Sequence, residues 1–137
     1  MLSHLSIKNI AVIDSAAVEF SNGFNVLTGE TAAGKSLLID SINMVLGERT
    51  SRDLIRHGRD RAVVEAMFHI EKDETSELLR SLGIEAEDNT LIISREISAD
   101  GRNICRANDR LITAAILRDI SKSLVNIHGQ HDGQQLL

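Results

Sequence analysis

Aromatic residues are almost missing from this 137-residue chain, which has three phenylalanines and neither tryptophan nor tyrosine. Aliphatic side chains must fill its core, and a surface that holds bases by aromatic stacking has almost nothing to be built from. Proline is absent altogether. A single cysteine, Cys105, can close neither an intramolecular disulfide nor a cysteine-rich zinc site, which fits a reducing compartment and metal-free folding. No apolar run approaches the roughly 20 residues of a membrane span, and the start MLSHLSIKNI lacks the basic region and long apolar core of a signal peptide. The expectation is a soluble cytoplasmic protein with no membrane partner. Positive charge is not in excess either. Fifteen Lys and Arg face twenty Asp and Glu for a net charge of −5, so contact with nucleic acid has to come from a local basic patch.

What is present is a globular composition. Hydrophobic residues make up 42% and charged residues 26%, which excludes a collagen-like or low-complexity chain, and the length suits one domain with its own core. Leu2 to Ile7 and Ala16 to Phe20 alternate loosely, as two strands, with Ser21-Asn22-Gly23 turning the chain. Phe24 to Thr28 is a short apolar strand ended by Gly29. From Lys35 the period changes: Leu37, Leu38, Ser41, Ile42, Val45 and Leu46 recur at helical spacing, and Gly47 stands where a helix stops. Ala62 to Ile70 alternates as a half-buried strand, Glu74 to Leu82 reads as a short helix ended by Gly83, and Thr90 to Ile97 as a strand. Asp100-Gly101 predicts a tight hairpin turn with positive φ at both central residues. Thr113 to Ile120 reads as a helix, Leu124 to Ile127 as a strand, and 128–133 as a polar loop.

Gly29-Glu30-Thr31-Ala32-Ala33-Gly34-Lys35-Ser36 matches the phosphate-loop pattern G-x-x-x-x-G-K-[ST], in the strand-before, helix-after context that pattern requires. At average residue usage a random match in a chain of this size is expected roughly 0.005 times, so chance is a poor rival. The chemistry explains the residue types. Backbone N–H groups and the positive end of the helix make an anion cradle, and glycines let the main chain approach phosphate oxygens. Lys35 supplies a point charge for the β- and γ-phosphates of a bound nucleotide, and the Ser36 hydroxyl one ligand position on Mg²⁺. A nucleotidase also needs an acid at the end of a second buried strand. Asp14 precedes the loop and Asp40 lies on the loop's own helix, so both read as structural, and the catalytic acid is missing from this chain.

The opening LSHLSIKNIAVIDSAAVEFSNGFNVLTGETAAGKSLLIDSINMVLGER, the Asp-Gly-Arg-x-x-x-x-x-Asn segment at 100–108 and the ending LVNIHGQHDGQQLL resemble the amino-terminal part of the RecN family of bacterial recombination and DNA-repair ATPases, related to SMC proteins. That resemblance implies an α/β fold, the P-loop NTPase amino-terminal lobe of an ABC-type ATPase head with antiparallel strands and flanking helices. Residues 1–137 would be one half of a split head. The coiled coil, signature motif and catalytic acid would lie elsewhere, and two heads would meet in a homodimer that sandwiches ATP. It further implies that Gln130 is the Q-loop residue that senses Mg²⁺ or the attacking water, and that the work of the whole protein is recombinational repair of DNA double-strand breaks, in the cytoplasm and at the nucleoid. The alternative is a nucleotide-gated protein or DNA interaction module without its own hydrolysis. One departure stands out: the family usually has glycine where this chain has Ala32. A methyl group there, at a point that would favour positive φ, implies reshaped phosphate contacts rather than lost binding.

Other polar groups carry weaker signals. His128, His131 and Asp132 lack a fourth donor for zinc. His4, His57 and His69 read as ordinary surface or strand positions, and Cys105 has no triad partner. Arg49, Arg52, Arg56, Arg59 and Arg61 form either a solvated loop balanced by Glu48, Asp53 and Asp60 or a phosphate-contacting surface, with Arg49 and Arg52 the DNA candidates. Arg95, Arg102, Arg106 and Arg110 read as exposed hairpin charges.

Overall fold

The computed structural model describes residues 2–20 and 32–124, apart from the side chains of 32–35. Six strands, β1 (Leu2–Ile10), β2 (Ile13–Glu19), β3 (Arg61–His69), β4 (Thr90–Ser98), β5 (Asn103–Ala107) and β6 (Arg110–Ile112), form one sheet in the order β2-β1-β3-β4-β5-β6. Every pairing in it is antiparallel. Three helices accompany it: α1 (Ala32–Val45), α2 (Asp73–Ser81) and α3 (Ala114–Leu124). This is the expected α/β lobe with antiparallel strands and flanking helices.

One face of the sheet is apolar because the strands alternate in phase. Ile7 pairs with Val64, Leu5 with Ala66, Ala66 with Ile93 and Ile93 with Ala107, and all of these side chains are buried. The loose alternation at the start of the chain has a cause: the β1–β3 register shifts between Leu2 and His4, and this irregularity lets Leu2 and Leu5 face the same core despite their odd spacing. Against this face lies α1, whose Leu38, Ser41, Ile42 and Val45 are buried at helical spacing. The Ser41 hydroxyl is satisfied by donating to the Leu37 carbonyl at 2.8 Å. Helices α2 and α3 hold each other, with the Thr75 hydroxyl donating to the Ser123 carbonyl at 3.0 Å in the buried seam.

Several local expectations change. Ile10 and Ile13 pair across a turn at Ala11-Val12, so the apolar run before Asp14 is a hairpin; it carries no glycine or proline to signal it. The β4–β5 turn keeps positive φ at Gly101 alone, +96°, and not at Asp100. The Gly101 amide donates to the Ser98 carbonyl and the Ser98 amide to the Arg102 carbonyl, both at 2.9 Å, giving a three-residue loop closed by a glycine bulge. The next turn, missed in the sequence, is Asn108-Asp109 with φ of +47° and +70°. Leu124 ends α3 rather than beginning a strand. The expected strand at 24–28, the turn at 21–23 and residues 125–137 lie outside the described residues.

Candidate functional site

The site is organised by α1. Its first residue is Ala32, so Ala32, Ala33, Gly34, Lys35 and Ser36 of the phosphate-loop pattern lie inside the helix. Ala32 thus takes right-handed helical backbone, and the positive φ expected there is not required. Ser36 is exposed. Gly29, Glu30, Thr31 and Gln130 lie outside the described residues. No acidic side chain stands in the first turn of α1, so the partial positive charge of its amino terminus keeps no internal counter-charge. The N–H groups of a helix amino terminus and the hydroxyl of Ser36 are donors of a kind that fits a Mg²⁺-bound polyphosphate, and Lys35 precedes Ser36 in the sequence.

The carboxy-terminal end of α1 has no basic residue of its own in the last turn. Its charge is answered from elsewhere. Arg95, in the middle of β4, is 3% exposed, and its Nη1 donates to the Met44 carbonyl at 2.8 Å and the Glu48 carbonyl at 2.6 Å. Its Nε donates to Asn103 Oδ1 at 3.1 Å. Expected among exposed hairpin charges, Arg95 instead points into the core face, because it shares strand parity with Leu91, Ile93 and Ile97. Charge-assisted bonds of this kind contribute about 1.5–3 kcal/mol each, which offsets the cost of burying the cation. Burial pulls the guanidinium below its ordinary pKa, and Arg118 pushes the same way while Cys105 and Glu48 oppose it. The helix end closes in two bonds, from the Gly47 amide to the Met44 carbonyl at 3.2 Å and from the Glu48 amide to the Asn43 carbonyl at 3.1 Å, with Gly47 at φ +94°. Arg118 of α3 lies over Gly47 and donates from Nη1 to its carbonyl at 3.4 Å.

In the arginine stretch after α1, Arg49, Arg52, Arg59 and Arg61 are exposed, and all of the stretch but Arg49 is bonded or paired back to the domain. Arg52 donates to the Ala99 carbonyl at 3.1 Å and Arg56 to the Val12 carbonyl at 2.7 Å. Arg59 lies 3.7 Å from Asp14, and Arg61 3.5 Å from Glu96. The backbone is stitched down as well, with the Ala11 amide donating to the Leu54 carbonyl and the Arg56 amide to the Asn9 carbonyl, both at 2.7 Å. Arg49 is exposed and has no bond to another described residue, so the two DNA candidates stand in different circumstances. Arg102 pairs with Asp100, whereas Arg110 donates to the Gly83 carbonyl at 2.9 Å. His4, His57 and His69 are exposed, as expected. Cys105 is buried opposite Arg95, and burial raises its thiol pKa more than Arg95 and Arg118 lower it. No group of metal-ligating side chains occurs among the described residues, and His128, His131 and Asp132 lie outside them. Asp40 is an exposed position on α1. No helix among the described residues is long and apolar enough to cross a membrane.

Asn108, the last anchor of the 100–108 segment, has a structural account. Its Oδ1 accepts the Ile92 amide at 2.8 Å, while its Nδ2 donates to the Glu85 carbonyl at 2.6 Å and the Thr90 carbonyl at 3.2 Å. With positive φ and three backbone partners, only an amide of this size fits the turn.

Residues 4–136 match the sequence profile described as an AAA domain. The chain belongs to the AAA domain family. Among curated proteins it is similar to the DNA repair protein RecN of Halalkalibacterium halodurans, 46% identical over 138 residues that cover the whole chain and 24% of that protein. The DNA repair protein RecN of Bacillus subtilis is 43% identical with the same coverage. The chain therefore spans about a quarter of the length of the curated relatives it matches. A solved structure from work on the ATP-driven dimerization and DNA-stimulated activation of SMC ATPases superposes with a TM-score of 0.70 at 27% identity, covering 96% of this chain and 87% of that one. The RecN resemblance carried by the opening and closing motifs is borne out, and so is the ATPase-head architecture. Within this AAA domain the phosphate-loop pattern opens α1, the helix that lies against the antiparallel sheet.

Proposed function

We propose that this chain is the ATP-binding amino-terminal lobe of a RecN-like DNA-repair ATPase. The observation that carries the reading is the run Gly29 to Ser36 entering α1 at Ala32, in a domain whose relatives are RecN proteins. Lys35 neutralises the β- and γ-phosphates, Ser36 holds Mg²⁺, and Gln130 senses the metal or the water. Hydrolysis belongs to the whole protein, with two heads facing each other across ATP. DNA, duplex or ended, is the partner of that assembly, which works in the cytoplasm at the nucleoid. Most of the charge stabilisation for phosphoryl transfer comes from groups outside this lobe. The 137-residue chain should bind ATP–Mg²⁺ weakly in calorimetry and leave it intact. Lys35-dependent hydrolysis by this chain alone would refute the split-head arrangement.

A further inference from the structure

Arg95 is the only charged side chain buried among the described residues. Its neighbours on the same face of β4, Leu91, Ile93 and Ile97, are apolar, and an apolar side chain of similar volume would satisfy packing there at least as well as a cation. What the guanidinium adds is direction. From β4 it reaches the Met44 carbonyl in the last turn of α1 and the Glu48 carbonyl just past the helix, and through Nε it reaches Asn103 at the start of β5. Asn103 stands at the base of the β4–β5 hairpin, whose turn residue Ala99 is gripped on both sides, by Arg52 at its carbonyl and by the Asp60 carbonyl at its amide. One planar group thus ties the hairpin, the sheet and α1 together. A 14-residue helix is about 20 Å long and stiff, so its tilt at one end sets where the other end lies.

We propose that Arg95 is a positioning residue for the phosphate loop: by holding the Met44 carbonyl in the last turn of α1, and the Glu48 carbonyl just beyond it, against β4 and β5, it keeps the first turn of the helix where phosphate is bound. This rests on the nucleotide-binding reading above. Arg118, which lies over Gly47, guards the same end but reaches one carbonyl at 3.4 Å, the weaker hold. A lysine at 95 keeps the charge beside the negative end of the helix but cannot grip Met44, Glu48 and Asn103 in one plane.

The test is made in the full-length protein with Arg95→Lys and, separately, Asn103→Ala. Each is assayed by thermal melting without nucleotide and by calorimetric titration with ATP–Mg²⁺ well below the melting temperature. The expected result is cooperative melting in both, with the dissociation constant for ATP raised about tenfold in Arg95→Lys and about threefold in Asn103→Ala, because sub-ångström misplacement of a binding constellation is felt at the ligand. Lowered melting temperatures with wild-type ATP affinity in both variants would overturn the proposal and leave Arg95 a structural clamp. Should Arg95→Lys fail to fold, Asn103→Ala decides by the same readout, since it removes one anchor and keeps the guanidinium with its two carbonyl bonds. A wild-type protein that does not bind ATP overturns the nucleotide-binding reading, and this inference with it; wild-type binding with unmoved variants overturns this inference alone.

Discussion

The two ends of α1 are built in opposite ways. The amino-terminal end continues a contiguous run, Gly29 to Ser36, and what it offers is mostly backbone: N–H groups and the unmasked positive end of a helix without acidic residues in its first turn. The carboxy-terminal end is gripped by side chains from separate elements, Arg95 on β4 and Arg118 on α3, with Asn103 of β5 bracing Arg95. A ligand site needs donors that a short segment can supply, while an anchor needs partners that only the folded sheet brings within reach. A lost donor should therefore weaken binding alone, which separates it from a lost anchor, expected to lower stability and, through the tilt of α1, binding as well.

The sharpest way to break that separation is Lys35→Ala. It removes the ammonium of the loop and should abolish measurable ATP binding, since phosphate charge is left poorly compensated, while the melting temperature stays at the wild-type value. An unchanged affinity in calorimetry would take Lys35 out of the site; a large fall in stability would show that Lys35 also supports the fold. At the other end, Gly47→Val places a branched side chain at φ +94°, with its Cβ 2.7 Å from Arg118 Cγ and 3.1 Å from the Arg118 backbone nitrogen. The backbone of α3 cannot yield as a flexible side chain would. Strain and overlap together should cost about 3 kcal/mol, read as a lowered urea midpoint.

Cys105 reports on the interior side of the same clasp. Burial raises its thiol pKa, so over the range just above the ordinary thiol value the native state keeps a proton that the unfolded state has lost. More protons are bound in the native state there, so the stability this thiol contributes is complete below the unfolded pKa and is lost as pH rises through the folded one. The native thiol should resist iodoacetamide at pH 8 and react on addition of denaturant. Rapid alkylation of the native protein would mean that the Arg95 side of the core opens easily.

The three helices and most of the described strands are legible because their signals are local: period two at 62–70, period near 3.6 from Leu37, and glycine at 47. The anchor was not, yet half of it could have been found. Arg95 lies in a strand already recognised from Thr90 to Ile97, and its parity with Leu91, Ile93 and Ile97 alone assigns it to the buried face. What no local pattern contains is the partner, because Met44 and Glu48 meet Arg95 only after α1 crosses the sheet. The turns at Ala11-Val12 and Asn108-Asp109 were missed for a related reason. The first has no turn residue at its centre, and the second depends on three carbonyl and amide partners supplied by β4 and the segment before it.

The smallest expected effect concerns the arginines just beyond the anchored end. Arg52 is bonded to the Ala99 carbonyl and Arg49 to no other described residue, so the pair separates a structural contribution from an electrostatic one. Arg52→Ala should lower stability by about 0.5 kcal/mol, the worth of one exposed hydrogen bond, while Arg49→Ala should leave the urea midpoint unmoved. Toward DNA the expectation for the two is the same. A chain of net charge −5 neutralises few phosphates, so duplex binding should be weak and fall steeply with salt. Replacing both Arg49 and Arg52 with Glu should reduce binding at low salt and flatten the slope of log affinity against log salt by about one to two, with ATP affinity unchanged. Because Arg52 also holds the β4–β5 hairpin, the single Arg49→Glu variant is the cleaner reading: a slope flattened by about one assigns Arg49 to a phosphate contact. An unaltered slope in both variants would leave Arg52 a hairpin clamp and move the DNA contacts of the whole protein elsewhere.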